Sequence, residues 1–285
     1  MVPVELGRTI QVPKARDDRH DVPTSLNYYP IDAGPPIPVT VGKTSVNNKR
    51  PSVSVDVIVQ DVSGHEDRFT LDKNGFQFVQ HTSREKDFDD EERITGIYYS
   101  EVEQLLKQVT GASRVVIFNH RGRRGPSDWA KAGLDNRLNA GPLFKVHIDQ
   151  SYDGAELQLR NVLPDEADEL LKGRYQIINV WRPIETVLRD PLAIADASTV
   201  SDSDLAPAAV IKPDSRSETW SVKPNAAHQW FYKYRHGPDT AVLIKCFDSD
   251  TSVARRSPHS AFSFKDNEKD PDRKSIEVRA LVFYS

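Results

Sequence analysis

The sequence predicts a mainly β protein, a sandwich or barrel with flanking helices on one side. Seven runs of β-branched and aromatic residues, bounded by Gly, Pro, Asp and Asn, carry this prediction. Only two segments show the apolar period of a helix. The predicted strands cover residues 52–59, 114–119, 143–149, 175–181, 229–234, 241–247 and 275–283.

The first predicted strand shows the period of a half-buried strand. Its apolar residues alternate with polar ones over most of its length, which places Val53, Val55 and Val57 on one face. We therefore expect this strand to cover the core with one side only.

The two predicted helices each end at a glycine. Residues 97–109 carry one apolar stripe and are followed by Gly111. Residues 164–172 have acidic residues in the first turn and Lys172 in the last, before Gly173. Two helices beside seven strands favour helices that cover one outer side of a β core.

The chain divides into a short arm and one domain. Residues 1–50 are rich in proline, most densely at 34–39, and we expect an extended arm packed on the core. Residues 51–285 contain no internal repeat and no low-complexity linker, which indicates a single domain.

Composition excludes several classes of protein. Among 285 residues, 38 basic and 42 acidic side chains give a formal net charge of −4, which argues against a nucleic-acid binder. No apolar run approaches the ~20 residues of a membrane helix. The single cysteine, Cys246, excludes an internal disulfide and a Cys-x-x-Cys zinc site. We expect a cytoplasmic protein without a membrane partner, and no pattern indicates its oligomeric state.

The triplet His147-Ile148-Asp149 lies inside a predicted strand. Alternate strand residues share a face, so His147 and Asp149 are expected to emerge side by side. An imidazole and a carboxylate so placed supply two arms of a facial triad, whose open positions suit non-haem Fe(II) and O₂. The alternative is a hydrogen-bonded pair on a solvated surface.

A third ligand would be a histidine from elsewhere in the chain. Most of the other histidines lie in polar loops, in turns or at strand ends. His259 differs, because Pro258 fixes its approach and small neighbouring residues leave room for a metal or substrate.

The last predicted strand has two unlike faces. Its apolar face is expected to pack in the core. Its polar face is either solvated or lines a cavity, where a guanidinium would grip a carboxylate through two parallel hydrogen bonds. The polar face carries Arg273, Ser275, Glu277 and Arg279.

The order of His-x-Asp, a distal histidine and a following arginine resembles the Fe(II)/2-oxoglutarate-dependent oxygenases. A closer resemblance is to the fungal hydroxylase/desaturase family with AsaB-like and gibberellin-desaturase-like members. It extends from about residue 50 to the C-terminus. The matching stretches are residues 69–78, 98–106, 174–183, 217–222, 229–232, 245–250, 257–262 and 275–283.

Carried across position by position, the resemblance makes His147, Asp149 and His259 the ligands of Fe(II). It also implies an arginine that binds the far carboxylate of 2-oxoglutarate. Arg273 forms an Arg-x-Ser motif with Ser275 and is the preferred candidate, and Arg279 is the second.

The resemblance implies a jelly-roll, cupin-like double-stranded β-helix core. It implies Fe(II), 2-oxoglutarate and O₂, with release of succinate and CO₂. The expected reaction acts on an unactivated C–H bond of a small secondary metabolite, by hydroxylation, desaturation or oxidative ring closure such as aziridine formation on an amino acid. The alternatives are a cupin-like metalloenzyme without 2-oxoglutarate and a non-catalytic β-sandwich binding module.

Five side chains are candidates to line the substrate pocket. Neighbours on a strand face opposite sides, so either Trp181 or Arg182 is expected to point away from the cavity. The candidates are Arg121, Asn179, Trp181, Arg182 and Trp220.

Overall fold

The computed structural model describes residues 20–40, 50–128, 140–212, 215–263 and 268–284. The described chain is mainly β, with the double-stranded β-helix core that the sequence predicts. Its strands are β1 (Val22–Tyr28), β2 (Val39–Thr40), β3 (Val53–Asp61), β4 (Phe76–Gln80), β5 (Arg114–Arg123), β6 (His147–Ile148), β7 (Tyr175–Pro183), β8 (Leu192–Ala195), β9 (Leu205–Ile211), β10 (Arg216–Val222), β11 (Trp230–Tyr232), β12 (Thr240–Asp248), β13 (His259–Ala261) and β14 (Ser275–Phe283).

Two sheets divide these strands. The nine-stranded sheet has the order β1-β3-β11-β8-β13-β6-β10-β9-β2, and the five-stranded sheet has the order β4-β12-β7-β14-β5. Apolar side chains of both sheets meet in the interior, where Trp181 and Val242 of the smaller sheet pack in one cluster with Ile194 of the larger. Strands that are adjacent in each sheet are often distant in sequence, as expected for this topology.

The described part of the N-terminal segment belongs to the larger sheet. β1 pairs antiparallel with β3, and β2 pairs parallel with β9, so the two strands form opposite edges of that sheet. Residues 1–19 and 41–49 of the predicted arm lie outside the described residues. The division of the chain at residue 50 stays a prediction.

The outer face of the five-stranded sheet is covered by a helix. Ile178 of β7 and Ile276 of β14 pack there against Val102 and Leu106. These helical residues belong to the predicted stripe of the segment 97–109, so the amphipathic pattern identified the correct packing face.

The helices are short, apart from two. The predicted helix 97–109 is confirmed, and its end at Gly111 has the left-handed backbone conformation, with φ of 73°, that favours glycine. The predicted helix 164–172 shortens to four residues. The helices are α1 (Leu71–Asn74), α2 (Glu91–Arg93), α3 (Tyr99–Thr110), α4 (Tyr152–Val162) and α5 (Ala167–Leu170), and a π-helical turn, Ile94–Tyr98, joins α2 to α3.

Helix α4, which the sequence analysis did not predict, begins three residues after Asp149. Its N-cap Ser151 accepts a hydrogen bond from the Gly154 backbone N–H and donates one to the Glu218 carboxylate of β10. The backbone N–H of Ser151 donates to the carbonyl of Glu218 at 2.9 Å. The cap therefore holds the segment that follows Asp149 against a strand of the larger sheet.

The predicted strand 143–149 is reduced to the two residues of β6. The predicted strand 275–283 is confirmed over its whole length as β14, which is almost entirely buried. Within the described part of the chain, no helix has the length and apolar character needed to cross a membrane.

The close approach of α4 to β10 predicts a strong effect of one added methyl group. A Cβ atom at residue 154 would lie 2.0 Å from the Glu218 carbonyl oxygen. We expect Gly154→Ala to lower the free energy of unfolding by about 2 kcal/mol or more, because the backbones must separate. Urea unfolding followed by circular dichroism measures it.

Gly96→Ala is the matched control, because a Cβ atom at Gly96 meets no heavy atom within 4 Å. That change should leave stability unchanged or raise it by up to about 1 kcal/mol. Equal unfolding midpoints for the two variants would contradict the packing described for α4.

Candidate metal centre

His147 and Asp149 emerge side by side from β6 and the bend that follows it. The His147 Nε2 atom lies 3.3 Å from the Asp149 Oδ1 atom, and both side chains are partly buried. Ile148, between them, is fully buried in the apolar core. The predicted alternation across the His-x-Asp triplet is therefore confirmed.

β13 places a third ligand-type side chain beside this pair. His259 lies directly opposite His147 in the antiparallel pairing of β13 with β6, and the centres of the two rings are 4.5 Å apart. His147, Asp149 and His259 each offer one ligand-type atom, and these three atoms lie within 4.8 Å of one another. Two distant stretches of chain thus converge on one point.

Backbone carbonyls orient both imidazoles. The Nδ1 atom of His147 is 2.8 Å from the Lys145 carbonyl oxygen, and that of His259 is 3.2 Å from the Ser257 carbonyl oxygen. A carbonyl can only accept, so each Nδ1 donates its proton, and in a neutral imidazole this leaves the lone pair on Nε2. This is the usual arrangement of metal-binding histidines.

Burial keeps the His259 imidazole neutral. Loss of solvent lowers the pKa of His259 to about 4, and the neighbouring His147 contributes to the shift. A neutral imidazole is the form that binds a metal ion.

The Asp149 carboxylate is paired on its second oxygen. Asn179 of β7 donates to Oδ2 at 2.8 Å, and Arg279 Nε lies 2.9 Å from the same atom. Burial alone would raise the pKa of the Asp149 carboxyl, but Arg279 and the two histidines hold it well below its usual range. Asp149 is therefore ionised and can bind a cation.

Trp181 and Arg182 of β7 face opposite ways. Trp181 points into the interior with Asn179, whereas Arg182 is buried on the helix-covered side. Its Nε donates to the Tyr98 hydroxyl at 3.1 Å, and its Nη1 donates at 2.6 Å to the carbonyls of His81 and Pro238. Alternation directs Arg182 away from His147, Asp149 and His259, so the structure does not bring it to these side chains as the sequence analysis expected.

Trp220 also does not lie beside His147, Asp149 and His259. In the pairing of β10 with β6, Trp220 lies opposite Ile148 and Ser221 lies opposite His147. Directly opposed residues share a face, so Trp220 is on the face of Ile148, where its ring packs against Tyr152. The prediction of Trp220 as a pocket residue used no information about strand pairing, and strand pairing decides on which face of the sheet a side chain lies.

β14 presents the two faces that the sequence predicts. The apolar face packs in the helix-side cluster, and the polar residues lie on the side of Asn179 and Trp181. Arg279 is directly opposite Asn179, and Glu277 is opposite Trp181. The polar face is thus directed to the interior between the sheets and is not a solvated surface.

Arg273 is buried and incompletely partnered. It is 4% exposed, its Nη1 donates to the Asp190 carbonyl at 2.8 Å, and its guanidinium lies 5.5 Å from the centre of the Trp181 ring. Its Nε has no hydrogen-bond partner among the described residues. Burial lowers the pKa of Arg273 to about 9, and Arg123 adds to the shift.

Arg279 differs from Arg273 because it already contacts two carboxylates. Its Nη2 lies 2.6 Å from Glu277 Oε1, in addition to the contact with Asp149. Although burial opposes it, these acids raise the pKa of Arg279 above its ordinary value. Both arginines have a buried Nε without a hydrogen-bond partner among the described residues, but that of Arg279 lies in ion-pair contact with Asp149, whereas no described acidic side chain makes such a contact with Arg273.

β5 adds two further arginines to this wall of the interior. Arg121 is opposite Glu277, and Arg123 is opposite Ser275, which is itself buried. Burial lowers the pKa of Arg123 to about 10, although Glu277 acts in the opposite direction. Sequence reasoning named Arg121 and missed Arg123, although the two-residue step from Arg121 places both on one face.

The donor set fits a ferrous ion and a dicarboxylate. Two imidazole nitrogens and one carboxylate oxygen leave coordination positions open, as in facial-triad sites, whereas a structural zinc site uses four protein ligands. The unpaired, buried Arg273 fits one carboxylate of an acidic co-substrate.

Comparison with known proteins identifies the family. A family model described as an oxidoreductase/YMDC permease-like domain matches residues 26–283. The hydroxylase/desaturase efuI of Hormonema carpetanum is 38% identical over 288 residues, covering 92% of this chain and 95% of that protein. The alpha-ketoglutarate-dependent dioxygenase phiK of a fungal species is 37% identical over 224 residues, covering 76% and 80%.

A solved structure agrees with the sequence relatives. The iron and alpha-ketoglutarate-dependent endoperoxidase NvfI superposes with a TM-score of 0.81 at 26% identity, over 93% of this chain and 98% of that one. This result confirms the predicted fold, and together with the named relatives it supports a 2-oxoglutarate-dependent enzyme over the two alternatives that the sequence left open. The chain belongs to the fungal Fe(II)/2-oxoglutarate-dependent dioxygenases of the hydroxylase/desaturase family.

Proposed function

We propose that His147, Asp149 and His259 hold the Fe(II) ion, and that Arg273 binds the far carboxylate of 2-oxoglutarate. The observation that carries the proposal is the convergence of two imidazoles and one ionised carboxylate within 4.8 Å. The Nδ1 contacts with backbone carbonyls support it, since they leave both Nε2 atoms free for a metal.

Arg273 is chosen over Arg279 because of their partners. A fully buried guanidinium with an unpaired Nε is stabilised by a carboxylate that arrives with the co-substrate. Arg279 is committed to Asp149 and Glu277. Ser275, opposite Arg123 on the same wall, supplies a hydroxyl near the same end of the cavity.

The bound iron, 2-oxoglutarate and O₂ supply the oxidising power that removes hydrogen from an unactivated C–H bond, with succinate and CO₂ as co-products. The protein holds and orients these reactants. His147, His259 and Asp149 would bind the iron and leave coordination positions open for the other reactants. Arg273 would fix the orientation of the co-substrate. The Trp181 ring beside Arg273 excludes water from that ion pair.

The substrate is proposed to be a small secondary metabolite that enters on the side of Arg121, where the wall is partly exposed. Hydroxylation, desaturation and ring closure such as aziridine formation all begin with removal of one hydrogen, so they stay alternative predictions. Cytoplasmic location and the absence of a nucleic-acid or membrane partner also stay predictions from composition.

Removal of any one ligand side chain tests the metal assignment. We expect His147→Ala, Asp149→Ala and His259→Ala each to weaken Co(II) binding more than ~100-fold, because changes behind a ligand already cost 10–100-fold. Succinate release from 2-oxoglutarate under Fe(II) and air should fall in parallel.

His65→Ala removes an exposed histidine away from this group and serves as the control for the ligand variants. Calorimetric titration with Co(II) under anaerobic conditions provides the affinities. Co(II) binding by Asp149→Ala equal to that of the control would show that the metal site lies elsewhere.

Arg273→Met tests the co-substrate assignment. Because the variant removes the charged partner of a buried carboxylate, the dissociation constant for 2-oxoglutarate should rise at least ~30-fold, equivalent to about 2 kcal/mol. Titration of the Co(II)-loaded protein with 2-oxoglutarate measures this constant. Unchanged 2-oxoglutarate affinity would assign that carboxylate to another residue.

A further inference from the structure

The two oxygens of Asp149 have different surroundings. Oδ1 lies toward His147, at 3.3 Å from Nε2, whereas Oδ2 receives the Nδ2 hydrogen bond of Asn179 and the ion pair with Arg279. Both contacts to Oδ2 are shorter than 3 Å. A carboxylate held on one oxygen cannot rotate freely about its χ2 bond, so its other oxygen keeps a fixed direction.

These contacts cross the interior between the two sheets. Asp149 follows β6 of the nine-stranded sheet, while Asn179 and Arg279 belong to neighbouring strands of the five-stranded sheet. Asn179 and Arg279 are directly opposite in the pairing of β7 with β14, so they approach Asp149 together. A rigid sheet therefore sets the position of both donors.

Glu277 fixes Arg279 in turn. One nitrogen of the planar guanidinium faces Asp149, and another lies 2.6 Å from Glu277 Oε1. Glu277 is itself 8% exposed. An arginine with its nitrogens on two buried acids is restricted in direction, which a single surface ion pair does not achieve.

We propose that Asn179 and Arg279 are positioning residues, which hold Oδ2 of Asp149 so that Oδ1 is presented to the metal beside the two imidazoles. This inference rests on the proposed function, because it takes Asp149 as a metal ligand. It gives Arg279 and Asn179 roles other than the co-substrate and substrate contacts that the sequence predicts for them. Neither residue touches the metal.

The test measures Co(II) affinity in the absence of 2-oxoglutarate and substrate, so it does not depend on turnover. Asn179→Leu removes the donor with little change of volume or charge. We expect its dissociation constant for Co(II) to rise at least ~10-fold, as is typical when a partner of a metal ligand is removed. Asn119→Leu is the matched control, because Asn119 lies opposite Arg279 on β5 but is exposed.

Arg279→Met and Arg273→Met form a second matched pair. Each removes one positive charge from the same wall, and a purely electrostatic effect would make Co(II) bind more tightly to the Arg279 variant, whose charge contacts a ligand. The positioning role predicts the opposite order, with Co(II) bound at least ~10-fold more weakly by Arg279→Met than by Arg273→Met. Thermal unfolding of each variant verifies that it is folded.

The outcomes separate this inference from the proposed function. Loss of Co(II) binding in Asp149→Ala, together with wild-type affinity in Asn179→Leu and Arg279→Met, would overturn the positioning role alone. Wild-type affinity in Asp149→Ala would overturn the metal assignment itself. If Arg279→Met does not fold, the comparison of Asn179→Leu with Asn119→Leu decides the question.

Discussion

The Asp149 carboxylate, held between two sheets, is the interaction on which the site depends. A charge withdrawn from water costs several kcal/mol unless it is paired and hydrogen-bonded. Here the compensation comes from Arg279 and Asn179, which belong to the opposite sheet. The anion therefore joins the two halves of the core at the point where the histidines converge.

The two histidines and Asp149 are carried by, or directly follow, very short strands. β6 has two residues and β13 has three, so neither could hold a sheet together alone. Their role is geometric, since the pairing of His259 with His147 sets the separation of the imidazoles. The long strands β7 and β14 provide the rigid wall opposite them, and helix α4, capped by Ser151, fixes the chain that follows Asp149. The candidate ligands on short strands are thus supported by longer elements.

Much of the site could be predicted from periodicity. Alternation placed His147 beside Asp149 and separated the polar from the apolar face of β14, because the period of two is a local property of a strand. The assignment of the distal histidine, His259, needed the family resemblance in addition. For Trp181 and Arg182, alternation showed only that they face opposite ways, and the covering of one face by α3 decided which of them faces the interior between the sheets. The face on which Trp220 lies depends on the pairing of β10 with β6, which is a long-range property that the local pattern does not contain.

Arg182, Arg273 and Arg279 show why residue type alone does not assign a role. Arg182 is equally buried but contacts a tyrosine hydroxyl and two backbone carbonyls on the helix side. Arg279 is in ion-pair contact with two acids of the protein, whereas Arg273 has no such contact among the described residues. A guanidinium is strongly stabilised by bidentate contacts with a carboxylate. The partners that the protein already supplies are therefore the basis on which we propose a positioning role for Arg279 and a co-substrate role for Arg273.

The most direct measurement is a crystal structure of the protein grown without oxygen in the presence of Fe(II) and 2-oxoglutarate. Our account predicts metal density bonded to His147 Nε2, His259 Nε2 and Asp149 Oδ1, with the far carboxylate of 2-oxoglutarate on Arg273 and with Arg279 still on Asp149. Metal density away from these three side chains, or a co-substrate carboxylate on Arg279, would contradict it.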